Sequence, residues 1–443
     1  MKKVMLSVIM CILSVGINYS CPDFHFKKKS VPVSEFDGSY VAEWLHAVGD
    51  VVKLKRMSPP VASRAYAYTS IAYYEGVVNG MPGFVSTEGK LNGLSGIPAP
   101  EKKKIYDWPT VAMTSAKNVT DYILSRELAT YDKQLVILYE KQLTKRKAEV
   151  SQEIIDGSIA FGKQIADVII EWAMKDNYEE TRWLFYNPAP RSDNPSFWAP
   201  TDFGQIALEP YWGTIRTFAC TASNQCDQEL CYEFSIDASS TAYQEALEVY
   251  EVSTNLTEEQ RLITLYWADD PGETTTPPGH WISIINQIVK RNHFNLEQSS
   301  YIMMEGCVAM ADAFISCWQT KYRVNYLRPK TYIQEYLGHK NWEPFVKTPP
   351  FPEFSSGHST CSGAIATVLT ELIGDEVEFI DSTHVNTLGL DPRSFKSFLE
   401  AGHEATMSRL YGGIHFRCGN EQGFEEGECV GNTVLTTLNV KKN

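Results

Sequence analysis

Three blocks in the C-terminal half carry the side chains whose types and spacing best suit chemistry. They supply two guanidinium groups, one ammonium group, a hydroxyl group and two imidazoles. A tetrahedral oxyanion held away from water needs about this many donors, because each unpaired buried charge is costly. The blocks are Lys321 followed after six residues by Arg328-Pro329, then Ser356-Gly357-His358, then Ser408-Arg409 followed after five residues by His415.

The middle block has the sequence of a helix start. The stretch "PFPEFSSGHST" is followed by the apolar run "CSGAIATVLTELIG". A helix N-terminus exposes unpaired N–H groups and the positive end of the helix dipole, so it attracts anions. Ser and Gly are also ordinary N-cap residues, and this block alone is therefore weak evidence. An anion site follows only if the other two blocks fold beside it.

Each block taken alone has a simpler interpretation. Lys321 and Arg328 could form the solvated end of a helix. Arg409 could pair with Glu404, and His415 could be a core histidine. All three blocks in this order favour a shared site, in which one imidazole can bond the central atom and the other can exchange a proton.

The elements that must position these residues are predicted to be helices. Apolar residues recur at helical spacing, and no convincing run with a period of two is present, so we predict an all-α fold. Residues 177–237 are rich in Pro, Asn, Trp and Gly, which predicts an irregular segment over a site or between halves. We divide the chain into an extension at 21–58, an N-terminal helical half at 59–237, and a C-terminal half at 238–443 that carries the site.

Composition limits the class of protein. Hydrophobic residues make up 43% and aromatic residues 12% of the 443 residues, which supports a sizeable core. The formal net charge is −14, from 40 basic and 54 acidic side chains. This balance argues against a nucleic-acid partner and still permits a local basic pocket.

The N-terminus has the pattern of an export signal. The sequence "MKKVMLSVIMCILSVGINYSC" places an apolar run after two lysines, and we predict a signal peptide at 1–20. Cys21 resembles the acylated first residue of a bacterial lipoprotein, although Asn18 and Tyr19 depart from the usual residues before it. We therefore predict an exported chain with a lipid anchor at Cys21, the alternative being a periplasmic or secreted chain with a plain N-terminus.

The remaining cysteines permit disulfides in an exported protein. We predict local pairs, one within Cys220, Cys226 and Cys231 and one between Cys418 and Cys429. A zinc site at the first cluster is less favoured, since no histidine or fourth cysteine lies nearby at ligand spacing. The other cysteines of the mature chain are Cys307, Cys317 and Cys361.

The ordered set "K-x6-RP … SGH … SR-x5-H" resembles the signature of the type 2 phosphatidic acid phosphatase and vanadium-dependent haloperoxidase superfamily. The stretches "YWADDPGETTTPPGHW" and "RAYAYTSIAYYEG" are similar to segments of the soluble haloperoxidases. The resemblance covers most of the mature chain. It implies two packed helical bundles and an enzyme whose pocket holds vanadate or phosphate.

The resemblance also implies a role for each residue of the site. His415 would be the axial ligand of vanadate or the nucleophile towards phosphate, and His358 the acid/base. The oxyanion would be bound by Lys321, Arg328, Ser356, Gly357 and Arg409, with Lys321 also catalytic, Asp270 supporting the arginines, and Trp318 and Phe351 forming a halide pocket. For these two aromatic residues, core packing is the alternative.

Two positions depart from the family pattern. Ser355 stands where the family usually has proline before Ser-Gly-His. Gly419 stands where the family usually has aspartate, four residues after the axial histidine. That carboxylate would orient His415, and we expect Asn420, Glu421 or a backbone carbonyl to replace it.

Three functions are consistent with these residues. The favoured one is a vanadate-dependent haloperoxidase, with vanadate as cofactor and with peroxide and a halide as substrates. The second is an exported acid phosphatase that acts on a phosphate ester through a phosphohistidine, without a cofactor. The third is a non-catalytic anion-binding lipoprotein, which only Gly419 supports.

Overall fold

The computed structural model describes residues 29–125 and 133–442. The predicted signal peptide and Cys21 lie outside these residues. Most of the described chain is helical, in agreement with the predicted all-α class. The α-helices are α1 (Ser39–Leu54), α2 (Pro59–Val77), α3 (Trp108–Ser125), α4 (Lys133–Glu149), α5 (Gln152–Ala173), α6 (Tyr178–Thr181), α7 (Thr241–Thr254), α8 (Glu258–Tyr266), α9 (Thr276–Arg291), α10 (Leu296–Val324), α11 (Pro329–Glu335), α12 (Gly357–Ile373), α13 (Phe398–Tyr411) and α14 (Arg417–Leu438).

The other regular elements are short. Strands β1 (Phe379–Asp381) and β2 (Arg393–Phe395) pair antiparallel, with Phe379 opposite Phe395. Within the described residues, three 3-10 helices cover Val33–Glu35, Val78–Gly80 and Trp212–Thr214. Between α6 and α7, only the last of these interrupts an otherwise irregular segment.

Helix α10 connects two groups of packed helices. On one side it contacts α2, which packs against α3 and α5, and on the other it contacts α12 and α14. Among the described helices, α10 alone is long and apolar enough to cross a membrane, and its apolar window is entirely buried. A core helix has this character, because every face of it meets another helix.

Close packing of α12 on α14 places the N-terminus of α12. Four glycines of α14 recur every four residues and so share one helix face, at Gly419, Gly423, Gly427 and Gly431. A Cβ atom at Gly427 would lie 2.3 Å from the carbonyl oxygen of Thr360 on α12. The absence of a side chain there lets the two helix backbones approach, which brings the start of α12 beside the start of α14.

The disulfides join distant segments, so the predicted local pairs are wrong. Cys226 pairs with Cys429 and Cys231 pairs with Cys418, across 203 and 187 residues of sequence. Both bonds fasten the irregular segment to α14, which follows directly after His415. Short sequence spacing suggested local pairs, but α14 returns beside this segment in the fold. Cys220, Cys307, Cys317 and Cys361 are free and buried.

Removing one disulfide is expected to destabilise the protein markedly. The double variant Cys226→Ser/Cys429→Ser avoids an unpaired thiol and opens a loop of 203 residues. We expect a loss of about 2–4 kcal/mol in the free energy of unfolding. Denaturant unfolding of the variant beside the wild type measures this loss. Equal midpoints and slopes would contradict the expectation.

Glu305 on α10 is expected to make stability depend on pH. Its side chain is buried, and its Oε2 atom has no hydrogen-bond partner among the described residues. Burial raises the pKa of its carboxyl group to about 8, against the opposing charges of Lys441 and Lys90. The folded state therefore favours the protonated form, and the associated stability is lost as pH rises from about 4.5 to about 8.

The variant Glu305→Gln keeps a neutral side chain at every pH. At pH 9 we expect it to be more stable than the wild type by about 2 kcal/mol or more, with the difference vanishing below pH 5. Thermal melts of both proteins across this pH range test the expectation. A constant difference at all pH values would show that Glu305 does not titrate as proposed.

Candidate active site

Residues of two of the three predicted blocks line one cavity of about 390 Å³, and the first block adjoins it. Gly357, His358, Arg409 and His415 line it, and Arg328 reaches it through a contact with His415. Each block lies at a helix end, where a side chain can face a cavity. Lys321 is in the last turn of α10, Arg328 precedes α11, Ser356 is the N-cap of α12, Arg409 is in the last turn of α13, and His415 lies between α13 and α14.

The simpler interpretations of Lys321 with Arg328, and of Arg409, are wrong. Lys321 and Arg328 have no exposed surface, so they are not a solvated helix end. Arg409 donates to the carbonyl oxygen of Trp267 at 2.9 Å. Glu404 instead accepts from Arg393 at 2.6 Å and from the indole N–H of Trp267 at 3.0 Å.

His415 is held by a carboxylate that the sequence did not reveal. Its Nδ1 atom lies 2.8 Å from Oε1 of Glu353, which also accepts from the backbone N–H of Phe416 at 3.1 Å. The Nε2 atom lies 3.2 Å from Nη1 of Arg328. A proton on Nδ1 bonds the carboxylate, and the Nε2 lone pair on the other side of the ring then accepts from Nη1 of Arg328, a bond that a ligand at Nε2 would replace.

Burial and the nearby cations keep His415 neutral. They lower the pKa of its imidazole well below the usual value, with Arg328, Lys321 and Arg409 contributing in that order after burial. A neutral imidazole is the form that binds a metal or attacks phosphorus. The pKa of Glu353 is raised to about 7 by burial, against the opposing charges of Lys321 and Arg328.

Gly419 makes room for Glu353. A Cβ atom at position 419 would lie 2.3 Å from Oε1 of Glu353, closer than non-bonded atoms approach. The carboxylate that orients His415 therefore comes from the loop before α12, whereas in the family pattern it comes from α14. The expected replacements by residues of α14 are wrong, because Glu421 pairs with Arg417 at 3.4 Å and the amide of Asn420 has no hydrogen-bond partner among the described residues.

One feature of the sequence could have indicated Glu353. It is an acid within "PFPEFSSGH", between apolar residues and next to the middle block. An acid in such a stretch is buried only when it has a partner. Its distance of 62 residues from His415 hid that partner.

Lys321 supports the loop before α12. Its Nζ atom donates to the carbonyl oxygens of Pro352 at 3.0 Å, Glu353 at 2.9 Å and Ser355. Burial lowers the pKa of its ammonium group to about 8. All three N–H groups thus donate to carbonyl oxygens of this loop. To contact an anion directly, Lys321 would have to give up one of these hydrogen bonds. The structure therefore places Lys321 beside the site as a support of the residues that form it.

Ser355 contributes to the same support. Its hydroxyl group donates to the carboxylate of Glu426, which also accepts from Ser316 at 2.7 Å and Thr320 at 3.0 Å. Burial raises the pKa of Glu426 to about 7. Proline could not make this bond, so the departure at position 355 is matched by a buried carboxyl group on α14.

The donor set fits a tetrahedral oxyanion. Arg328 donates from Nε to the carbonyl oxygen of Phe351 at 2.8 Å and from Nη1 to that of Ile414 at 2.9 Å, while its Nη2 has no hydrogen-bond partner in the part of the chain that the structure describes. Nε of Arg409 and Nε2 of His358 are likewise buried without a hydrogen-bond partner in the described structure. An unpaired buried donor costs free energy, and His358 and Arg409 line the cavity while Arg328 contacts His415, so these three atoms can donate to an anion bound there.

The start of α12 adds backbone donors. The first bond of this helix runs from the N–H of Thr360 to the carbonyl oxygen of Ser356 at 2.9 Å, so the N–H groups of 357–359 precede the helical ladder. The hydroxyl group of Ser356 accepts from Ser359 at 2.9 Å and keeps its own proton. This geometry suits the predicted contribution of Ser356 and Gly357.

Asp270 and the two aromatic residues also line the cavity. Asp270 is exposed and makes no direct ion pair among the described residues, although its charge opposes the lowering of the pKa of Arg409 that burial causes. The rings of Trp318 and Phe351 lie 5.0 Å apart. The indole N–H of Trp318 donates to the carbonyl oxygen of Leu208 at 3.2 Å, which anchors the irregular segment over the cavity.

Comparison with known proteins identifies the family. A family model for the second helical-bundle domain of VCPO matches residues 301–441. A crystal structure of a bacterial vanadium-dependent iodoperoxidase is 34% identical, with a TM-score of 0.84 over 94% of this chain and 99% of that chain. No curated protein sequence matches the chain.

Two more distant structures share the fold. The holo form of a bacterial vanadium-dependent chloroperoxidase is 16% identical, with a TM-score of 0.68 over 94% of this chain and 99% of that chain. An apo form has a TM-score of 0.66 at 16% identity, over 86% of this chain and 94% of that chain. Together with the closer similarity to the iodoperoxidase, these matches confirm the resemblance seen in the sequence. The chain is an enzyme of the vanadium-dependent haloperoxidase family, within the superfamily of haloperoxidases and acid phosphatases.

Proposed function

We propose that this enzyme oxidises a halide with peroxide at a bound vanadate, and that iodide is the first halide to test. The observation that carries the proposal is the group of unpaired buried atoms, Nη2 of Arg328, Nε of Arg409 and Nε2 of His358, around a neutral His415. The structure that is 34% identical is described as an iodoperoxidase, which supports the choice of halide.

Each residue has a role in this proposal. Nε2 of His415 would hold vanadium, and Arg328, Arg409, Ser356 and the N–H of Gly357 would bind the oxygens. Vanadate, when bound, supplies a Lewis acid that activates peroxide towards the halide without a change in its own oxidation state.

The surrounding residues prepare the cavity. Burial and the charge of Arg409 lower the pKa of His358 well below its usual value, so its imidazole is neutral before an anion binds, and its unpaired Nε2 atom lies at the cavity for proton exchange with the bound group. Lys321 holds the loop that carries Glu353. Trp318 and Phe351 form an apolar wall on which a weakly hydrated halide can rest beside the cations. The packing of the two rings against each other equally suits a role in the core. Halide assays of single alanine variants at the two positions distinguish halide binding from core packing.

An acid phosphatase is the second candidate, and one observation favours it. Gly419 in place of aspartate counted against a phosphatase, because His415 would lack a carboxylate partner. Glu353 supplies that carboxylate, at 2.8 Å from His415. His415 could then accept a phosphoryl group while His358 protonates the leaving alcohol. The non-catalytic interpretation is not retained, because the chain belongs to a family of enzymes and Gly419 is explained by Glu353.

One preparation separates the two chemistries. The mature chain without Cys21 is stripped of anions, titrated with orthovanadate, and assayed for iodide and bromide oxidation by peroxide and for hydrolysis of a nitrophenyl phosphate. We expect halide oxidation that requires vanadate and that phosphate inhibits by competition. Phosphatase turnover that vanadate inhibits, without halide oxidation, would refute the proposal.

We further propose that the chain is exported and carries lipid at Cys21. The two disulfides support this location, because such bonds persist in oxidising compartments. Metabolic labelling with a fatty acid, followed by fractionation, tests it with Cys21→Ser as the matched variant. Label retained in that variant, or a wild type without label and free of the membrane fraction, would contradict the lipid anchor.

A further inference from the structure

A second cluster of buried ionisable residues lies behind the oxyanion site. Asp269 follows α8, His280 is on α9, Asp381 ends β1, and His384 follows it. All four are at most 2% exposed. The chemistry proposed above uses none of them, yet Asp269 lies in the same turn as Asp270 and reaches the cavity wall.

The spacing of three of these residues suits a metal ion. Oδ1 of Asp269 and Nε2 of His384 face each other at 3.3 Å, and neither atom makes a hydrogen bond to any other described residue. Nδ1 of His280 lies 2.9 Å from Oδ2 of the same aspartate. One ligand atom from each residue can be chosen so that all three lie within 4.8 Å of one another. Two bonds of about 2.1 Å that meet at a tetrahedral angle span about 3.4 Å, close to the observed separation.

The surroundings orient both imidazoles as metal ligands are usually oriented. Nε2 of His280 lies 2.7 Å from Oδ2 of Asp381, whose other oxygen accepts from the hydroxyl group of Thr383 at 2.6 Å and from its N–H at 2.9 Å. Nδ1 of His384 lies 3.2 Å from the hydroxyl group of Thr387. If Nε2 of His280 carries the proton, the Nδ1 lone pair faces the carboxylate of Asp269. These two groups are then both acceptors, and a cation between them would bond to both.

The charges of the cluster lead to the same conclusion. Two buried carboxylates face two imidazoles in this cluster. A divalent cation bound to neutral imidazoles balances both carboxylates. Balance matters here because an uncompensated charge is costly away from water.

We propose that Asp269, His280 and His384 bind a divalent metal ion, with Zn²⁺ the best match to two imidazole nitrogens and one carboxylate oxygen, and with a water as fourth ligand. The ion would stabilise the turn that follows α8. That turn supplies the carbonyl oxygen of Trp267 to Arg409 at 2.9 Å, so the metal would hold the oxyanion site in place without entering it.

The test uses the full mature chain with its disulfides intact and without vanadate. The protein is treated with a chelator, dialysed, and then supplied with Zn²⁺ or Co²⁺. We expect about one equivalent of metal by mass spectrometry, a melting temperature higher by several degrees, and the visible absorption of tetrahedral Co²⁺. These readouts do not depend on halide oxidation, so failure of the proposed function leaves this inference standing, and the reverse holds too.

Two variants and a control locate the metal. His384→Ala is expected to abolish retention, and Asp381→Asn to weaken affinity by about 10–100-fold through the orientation of His280. His46→Ala is the control, because that histidine lies exposed on α1, and it should retain the metal as the wild type does. Near-ultraviolet circular dichroism establishes that each variant is folded.

Two results would overturn the proposal. One is a wild type that retains neither metal at saturating concentration and shows no change in melting temperature, which would identify His280 as an imidazolium between two carboxylates. The other is equal retention by a folded Asp381→Asn or His384→Ala protein, which would place the metal elsewhere.

Discussion

Replacing His415 with alanine is expected to lower vanadate-dependent halide oxidation by on the order of 10³-fold or more. Its Nε2 atom is the uncharged nitrogen presented beside Arg328, and Glu353 fixes the opposite side of the ring. Removing a residue that hydrogen-bonds to a metal ligand typically lowers metal affinity or activity by roughly 10–100-fold. Removing the ligand itself should lower activity further. The measurement is triiodide formation from iodide and peroxide at saturating vanadate.

The binding of vanadate by the same variant separates two causes of lost activity. We expect the rise in melting temperature that vanadate causes in the wild type to disappear. His46→Ala serves as the control, since its ring lies exposed on another helix. Wild-type rates in the His415→Ala protein would show that the site is misassigned.

Removing the carboxylate of Glu353 is expected to lower vanadate affinity by about 10–100-fold. The variant Glu353→Ala leaves His415 without a partner at Nδ1, so its ring loses both its orientation and its preferred tautomer. Glu353→Gln keeps the size of the side chain and loses the charge. Thermal shifts with vanadate give the affinity, and the pH profile of halide oxidation reports on the imidazole.

A second substitution should restore the lost function. In the Glu353→Ala background, Gly419→Asp places a carboxylate four residues after His415, in space that Glu353 no longer fills. We expect the double variant to recover most of the affinity. Gly419→Asp alone should instead lower the melting temperature, because its Cβ atom would lie 2.3 Å from Oε1 of Glu353.

The comparison of these variants distinguishes positioning from packing. Recovery in the double variant shows that the carboxylate acts through His415 and that its origin in the chain is immaterial. A double variant no better than Glu353→Ala would mean that Glu353 maintains the loop before α12 and does not orient the imidazole.

The sequence by itself determined the helical class and most of the side chains proposed to bind the anion. Helical periodicity and the start of α12 are local patterns, so neighbouring residues suffice to reveal them. The order of Lys321, Arg328, Ser356, Arg409 and His415 was recognisable for the same reason, because each block is short and has fixed spacing.

The tertiary structure alone decided which residues support that site. Glu353 lies 62 residues from His415, and the disulfides span 203 and 187 residues. The tertiary structure also showed that the ammonium group of Lys321 donates all three of its hydrogen bonds to the loop before α12. Such contacts depend on which helices pack together in the folded chain. The residues of one segment do not indicate which distant segment will pack against it.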